Sequence, residues 1–317
     1  MKTNGQVNCW GGNFYGQLGN ATEDASNTPV AVKAVGGSGV LGLAKGIVAG
    51  VDHSCALLRS GRVNCWGSNF AGELGDGTND GSTTPVVVQA VGGGGDLTRI
   101  KQIDAGNHSC ALSLTGQVVC WGFNDHGQLG DGTNDNRNTP VFVDDGTLGE
   151  LTKVKQTAGG GTYTCALLTN GRVNCWGSNF AGELGDGTTN QSNVPVAVKA
   201  VGGGGELTRV KQIAAGVSHA CALLTNGRVN CWGYNGAGGL GDGTNTDSST
   251  PVVVQAVGGG GELTRVKQIT AGVDQTCALL TNGRVTCWGS NVDGELGDGT
   301  NTDSNTPVVV QAVGGGG

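Results

Sequence analysis

The sequence predicts an all-β protein, a β-propeller of four-stranded blades. Three observations carry this: a repeat of 55–56 residues, four short strand-like segments per copy, and no stretch with helical periodicity. Cys-Trp-Gly recurs six times, with its tryptophan at Trp10, Trp66, Trp121, Trp176, Trp232 and Trp288. Cys-Ala-Leu recurs five times, starting at Cys55, Cys110, Cys165, Cys221 and Cys277, and the two motifs together hold all 11 cysteines. The arithmetic gives one domain over 1–317: a partial blade (1–40), then complete blades at 41–95, 96–149, 150–205, 206–261 and 262–317. This is a six-bladed arrangement of five complete blades plus a half blade, and a full-length parent of seven blades is compatible with it.

The elements can be justified in order within the copy 206–261. Its first apolar segment is Val210–Ile213, ending in Ala215-Gly216. Cys221–Leu224, the turn Thr225-Asn226-Gly227 and Arg228–Trp232 follow, then a polar loop, Pro251–Val254 and the glycines Gly258–Gly261. Each apolar segment is short, rich in Val, Leu and Ile, and bounded by Gly, Asn or Pro, which are strand signals. A β-solenoid would need shorter coils.

The central hairpin fixes a register. Leu168-Thr169-Asn170-Gly171-Arg172 suits a three-residue loop, a type I turn closed by Gly171 in the left-handed region. Cys165 then lies directly opposite Cys175, and the same rule pairs Cys55 with Cys65, Cys110 with Cys120, Cys221 with Cys231 and Cys277 with Cys287. Opposed side chains approach disulfide distance. Two readings stand: five bridges, or five pairs of buried thiols acting as small hydrophobes. A strict two-residue Asn-Gly turn would slip the register and break the pairing. Ten bridged cysteines would imply an oxidising compartment, outside the cytoplasm.

Composition excludes several classes. Gly is 63 of 317, but it does not recur at every third position and there are only 6 Pro, so the chain is not collagen-like. Charged residues, at 14%, are too sparse for a disordered polyelectrolyte. No membrane span and no nucleic-acid partner are expected: no apolar run approaches about 18 residues, and the net charge is −7.

Thr3–Cys9 repeats Thr225–Cys231, and Gly314–Gly317 repeats Gly258–Gly261. The partial blade therefore has two strands, around Gln6–Trp10 and Pro29–Val32, and Cys9 has no hairpin partner. An unpaired edge invites another chain, so self-association into a homo-oligomer is expected there.

The unit Ala-Gly-x-x-His-x-Cys-Ala-Leu, with Trp-Gly-x-Asn-x-x-Gly-Gln/Glu-Leu-Gly, resembles the regulator of chromosome condensation repeat across almost the whole chain. Its Cys-rich, Gly-Asp-Gly-Thr variant is similar to repeats of bacterial secreted or surface proteins. The resemblance implies a propeller, and it implies protein binding through propeller faces, which the family's exchange factor, plant photoreceptor and β-lactamase inhibitor share. The photoreceptor's clustered tryptophans in Gly-Trp-Arg-His-Thr segments have no match, since Val51-Asp-His-Ser54 and Val217-Ser-His-Ala220 stand there.

Other patterns read as structural. His53, His108 and His219 share one column with Tyr163 and Gln275, a mixture that suits hydrogen bonding better than metal binding. His126 lies in a loop with no nucleophile beside it. Asp298-Gly-Thr-Asn-Thr-Asp303 and its copies lack a full calcium-loop pattern and read as Asx turns, with weak calcium binding as the alternative. The tetraglycines at Gly92, Gly202 and Gly258 precede no helix and read as flexible linkers, not phosphate loops. The six tryptophans are assigned to one core layer. Asn13, Asn69, Asn124, Asn179, Asn235 and Asn291 are assigned to backbone bonding in a turn. No cofactor is implied.

Strand order places the Thr-Asn-Gly turns and glycine linkers on one face, and the Ala-Gly-x-x-His and Trp-Gly-x-Asn loops on the other. Copies differ most on the second face, where Phe14, Tyr15, Phe70, His126, Tyr163, Phe180 and Tyr234 are candidate interface anchors. The reading is a non-enzymatic scaffold that binds a protein or surface ligand, extracellular or at the cell surface. A second reading is an exchange-factor-like regulator of a small GTPase. A third, a propeller enzyme, would need a recurring acid–base pair.

Overall fold

A computed structural model describes residues 1–147 and 149–312; the terminal glycines Gly314–Gly317 read from the repeat lie outside the described residues. Strands are numbered in chain order. The partial blade is β1 (Asn8–Gly11) and β2 (Ser26–Ala31), paired antiparallel. Five four-stranded antiparallel sheets follow, each in simple meander order. In the first full blade these are β3 (Ala44–Ala49), β4 (His53–Leu58), β5 (Val63–Gly67) and β6 (Ser82–Val87). The second holds β7 (Ile100–Ala105), β8 (His108–Ser113), β9 (Val118–Gly122) and β10 (Arg137–Phe142). The third holds β11 (Val154–Gly159), β12 (Tyr163–Leu168), β13 (Val173–Gly177) and β14 (Ser192–Ala197). The fourth runs β15 (Val210–Ala215), β16 (His219–Leu224), β17 (Val229–Gly233) and β18 (Ser248–Val253). The fifth runs β19 (Val266–Ala271), β20 (Gln275–Leu280), β21 (Val285–Gly289) and β22 (Ser304–Val309). The helix among the described residues is one 3₁₀ turn, Val201–Gly203. The chain forms two compact units, Met1–Thr162 and Tyr163–Gly317.

The hairpin register is the one the loop chemistry predicts. Cys165 faces Cys175, the Gly171 amide donates to the Leu168 carbonyl at 3.0 Å, and Gly171 has φ of 80°. Five disulfides join the predicted pairs, with Cα–Cα separations of 4.0–4.1 Å, the closer spacing of a non-hydrogen-bonded antiparallel pair. Cys9 is the free cysteine, and burial raises its thiol pKa.

Between the third and fourth strands the register shifts at each tryptophan, as between Cys65 and Gly67. Such a bulge re-aims one side chain. Here it turns the indole onto the preceding blade. The core accordingly lies between sheets: in the first unit Leu57, Val63, Leu74 and Val88 of one blade pack with Leu97, Ile100, Ile103 and Trp121 of the next. In the second unit Leu223, Val229, Leu240 and Val254 pack with Leu263, Val266, Ile269 and Trp288.

Two expectations are corrected. Trp66, Trp121, Trp176, Trp232 and Trp288 are fully buried, but Trp10 is 62% exposed, because no turn covers it among the described residues. The tetraglycines are not loose linkers. Ala200 donates no more than its share to a closed turn: its amide bonds the Gly205 carbonyl at 3.0 Å, Gly203 bonds Ala200 at 2.9 Å, and a bridge Lys199–Glu206 closes the base.

Successive blades are also clamped on the turn side. Leu43, Arg99, Lys153, Arg209 and Arg265, each one residue before a first strand, adopt left-handed φ of 59–62°. Non-glycine residues rarely do so. The following amide is held by the glycine of the preceding blade's turn, as in Val210 to the Gly171 carbonyl and Val266 to that of Gly227, both 3.0 Å.

Candidate functional site

The loop face is built outward from the six asparagines. Asn69 is buried; its Oδ1 accepts from the Leu74 amide at 2.8 Å, while Nδ2 donates to the carbonyls of Thr78 and Asp80 at 3.1 and 3.0 Å. Asn13, Asn124, Asn179, Asn235 and Asn291 do the same in their copies. With the asparagine turned inward, the next residue points outward: Phe14, Phe70 and Phe180 are 85%, 76% and 72% exposed. The acidic or amide side chain of Gly-Glu/Gln-Leu then braces the loop. Glu73 accepts from the Ala71 amide at 3.0 Å, Glu183 from Ala181 at 2.9 Å, and Gln17 from Tyr15 at 3.0 Å. Burial raises the pKa of both Glu73 and Glu183. The aromatics therefore stand on rigid loops, which limits the ordering cost of a contact.

In the first unit Tyr15 meets Phe70 edge to face, with centroids 5.6 Å apart, and Phe123 meets His126 at 6.4 Å. A shallow groove of about 270 Å³ runs between them, lined by Val51, Asp52, Ser68, Phe70, Asn107 and Phe123. A second, of about 470 Å³, is lined by Cys9, Trp10, Gln17, Ala49 and Val51. In the second unit Phe180, Tyr234, Val217, Val273 and Val292 are exposed. Sequence reasoning missed Phe123, Trp10 and the Val51/Val217/Val273 column. The column's recurrence was the available signal.

Tyr163 is not on this face. It is fully buried, and its hydroxyl donates to the His219 carbonyl and, at 3.2 Å, to that of Gly216. The histidine column explains why. His53 Nε2 bonds Ser109 Oγ of the next blade at 2.7 Å, and His219 Nε2 bonds Thr276 Oγ1 at 2.8 Å. Those hydroxyls in turn donate to the Glu73 and Gly239 carbonyls, which also accept from Trp121 and Trp288 Nε1. Opposite Tyr163 the hydroxyl residue is replaced by Ala220, so a longer ring with its own hydroxyl takes the space. Burial lowers His53, His108 and His219 to about 4, 3 and 4, so they are neutral near pH 7. His53 and His219 each tie their blade to the next.

Asp104 on β7 is a departure of the same kind. Burial pushes its carboxyl up to about 7, and it accepts from Gln102 Nε2 at 2.9 Å and from the Thr157 hydroxyl. Val48, Ala158, Ala214 and Thr270 occupy its column, so this acid does not recur. The Asp-Gly-Thr loops are Asx turns: Asp298 Oδ1 accepts from the Thr300 amide and hydroxyl at 2.9 and 2.8 Å. Among the described residues no group of three or more His, Cys, Asp or Glu is placed to hold a metal ion, and no helix is long and apolar enough to cross a membrane.

Comparison with known proteins agrees with this architecture. The regulator of chromosome condensation (RCC1) repeat family matches residues 4–57, 60–112, 115–167, 170–223 and 226–279. The ultraviolet-B receptor UVR8 of Arabidopsis thaliana is 31% identical over 309 residues, covering 97% of this chain and 66% of the receptor. The E3 ubiquitin-protein ligase HERC2 of Homo sapiens is 31% identical over 268 residues, 84% of this chain but 5% of the ligase. The chain thus spans less than two thirds of each relative. Among solved structures, human WBSCR16 superposes with a TM-score of 0.73 at 24% identity, over 94% of this chain and 74% of that one. Yeast RCC1 (Prp20), solved bound to Kap60, gives 0.62 at 20% identity, over 97% and 84%. These superpositions identify the fold as a β-propeller.

Proposed function

This chain belongs to the regulator of chromosome condensation repeat family, and we propose that it is a non-enzymatic scaffold, a single propeller domain that binds a protein or surface ligand through its loop face. The observation that carries the reading is the set of rigidly held, exposed aromatics: Phe14, Tyr15 and Phe70 in the first unit, and Phe180 and Tyr234 in the second. Exposed aromatics on ordered supports are the usual anchors of protein interfaces. His126 beside Phe123 extends the anchor set. Tyr163, being buried, is no longer part of it. The five disulfides support a location outside the cytoplasm, at the cell surface or secreted. Regulation of a small GTPase is the second reading, and it rests on family likeness alone.

The test is affinity capture from an extracellular fraction with the wild type and with Phe14→Ala/Phe70→Ala/Phe180→Ala. A bound protein lost from the triple variant, yet kept by Arg62→Ala/Arg172→Ala/Arg228→Ala on the turn side, supports the reading. Equal capture by both variants refutes it. Nucleotide-dependent binding of a GTPase would favour the regulator.

A further inference from the structure

We propose that the groove between the first and second full blades receives an arginine side chain from a basic segment of a partner protein. This rests on the loop-face reading above and names the partner chemistry that one part of that face selects. The groove holds about 270 Å³, below the roughly 300–1,000 Å³ of an ordinary small-molecule pocket, so it suits one long side chain. Phe70 of the first full blade and Phe123 of the second line it together with Val51, and Asp52 and Glu73 supply its charge. Each aromatic is braced by a ring outside the lining: Tyr15 meets Phe70 edge to face, and His126 meets Phe123. Both blades that form the groove are complete, and both lie in the first compact unit.

An acidic groove with aromatic sides matches a guanidinium. The planar group stacks on an aromatic face, and its forked N–H groups donate two parallel bonds to a carboxylate. Neither acid is neutralised within the chain: the ion pairs among the described residues engage Asp96, Asp131, Glu206 and Glu262, so Asp52 and Glu73 have no basic partner there. Burial raises the Glu73 carboxyl, and the nearby charge of Asp52 raises it further; a cation between the two relieves that repulsion. The net charge of −7 attracts a basic segment at longer range.

The fold itself does not call for these acids. The place of Asp52, directly before the histidine column, is held by Asn107, Thr162 and Ser218 in the next three blades. The place of Glu73 is held by Gln17 and Gln128 in the partial and second blades. Their Oε1 atoms accept from the Tyr15 and His126 amides at 3.0 Å, the same brace that Glu73 gives Ala71. Both acids together with both aromatics occur at one blade boundary of the sequence. The third blade has Phe180 and Glu183 but Thr162 where the aspartate would stand, and the fifth pairs Asp274 with Glu295 but follows its asparagine with Val292. Phe123 stands where the other copies carry Gly12, Ser68, Ser178, Tyr234 and Ser290.

The test is amide NMR of the full chain near pH 7, titrated with the blocked tripeptides Gly-Arg-Gly, Gly-Lys-Gly and Gly-citrulline-Gly. The arginine peptide should give saturable shifts at the amides of Asp52, Phe70 and Phe123, weakened by added salt. It should bind about threefold more tightly than the lysine peptide and about tenfold more tightly than the uncharged one. Asp52→Asn/Glu73→Gln should lower its affinity about tenfold, with amide shifts away from the groove unchanged because the same neutral residues already serve in the second blade. Asp274→Asn/Glu295→Gln, which removes an acid pair without the aromatics, should leave the affinity as it is. Absence of saturable shifts at these amides, equal affinity for the arginine and lysine peptides, or equal affinity of the parent and the Asp52→Asn/Glu73→Gln variant would each overturn the proposal. None of those results bears on the loop-face reading, which capture with the Phe14→Ala/Phe70→Ala/Phe180→Ala variant decides.

Discussion

Asn235→Ala tests the idea that one buried amide shapes each polar loop. Asn235 Oδ1 accepts from the buried Leu240 amide at 2.9 Å, and Nδ2 donates to the carbonyls of Thr244 and Thr246, both at 3.1 Å. Removing it takes away three hydrogen bonds at once, each worth about 1 kcal/mol net, more where a buried backbone group is left unpaired. The expected loss is about 3 kcal/mol, concentrated in the fourth full blade. Amide exchange is the direct assay: 3 kcal/mol corresponds to roughly 100-fold faster exchange at Leu240, since 1.36 kcal/mol is tenfold. Asn235→Asp separates the two roles. It keeps an acceptor for Leu240 but turns a carboxylate toward two carbonyls, 3.3 Å from the position of Asp242 Oδ1. It should destabilise the loop at least as much as alanine near pH 7. Protection at Leu240 within threefold of the parent in both variants would refute the reasoning.

Stability should fall on acidification. The native fold holds His219 at about 4, below its unfolded value near 6.5, so the unfolded chain takes up a proton that the fold refuses, and the loss runs from about pH 6.5 down towards 4. Between pH 7 and 5 this is roughly 2 kcal/mol per histidine; denaturant midpoints in an Asp104→Asn background, which removes an acid of opposite sign held at about 7, should show His219→Gln reducing the slope. Tyr163→His and Ala220→Ser should each destabilise, while the double variant restores the column pattern and recovers at least about 1 kcal/mol in a double-mutant cycle; additive losses would show that the two sites are uncoupled. Gly227→Ala, at φ of 80° against the backbone of Arg265, should cost more than 1 kcal/mol, whereas Arg265→Gly at φ of 61° should be neutral or stabilising in thermal melts. Non-reducing peptide mapping should recover Cys165 linked to Cys175 and Cys9 alkylated.

Much of the fold was legible because the repeat constrains it locally. A three-residue loop ending in glycine sets a hairpin register, and that register alone opposes Cys165 to Cys175; two-residue periodicity and turn chemistry act over neighbouring residues, where sequence is explicit. The asparagine of Trp-Gly-x-Asn likewise announces its own turn. What the sequence left undecided depends on which surface lies beside which. Trp10 is spelled like Trp66 but exposed, because an indole is buried only when another blade's glycine turn covers it. Tyr163 looked like a surface anchor until its neighbour across the blade boundary, Ala220, made room for it inside. Arg209 and Arg265 take a left-handed conformation that nothing in their local sequence favours, because the amide after each is bonded to a turn more than thirty residues earlier. Local backbone preference is written residue by residue along the chain, whereas burial belongs to pairs of surfaces and is decided only when they meet.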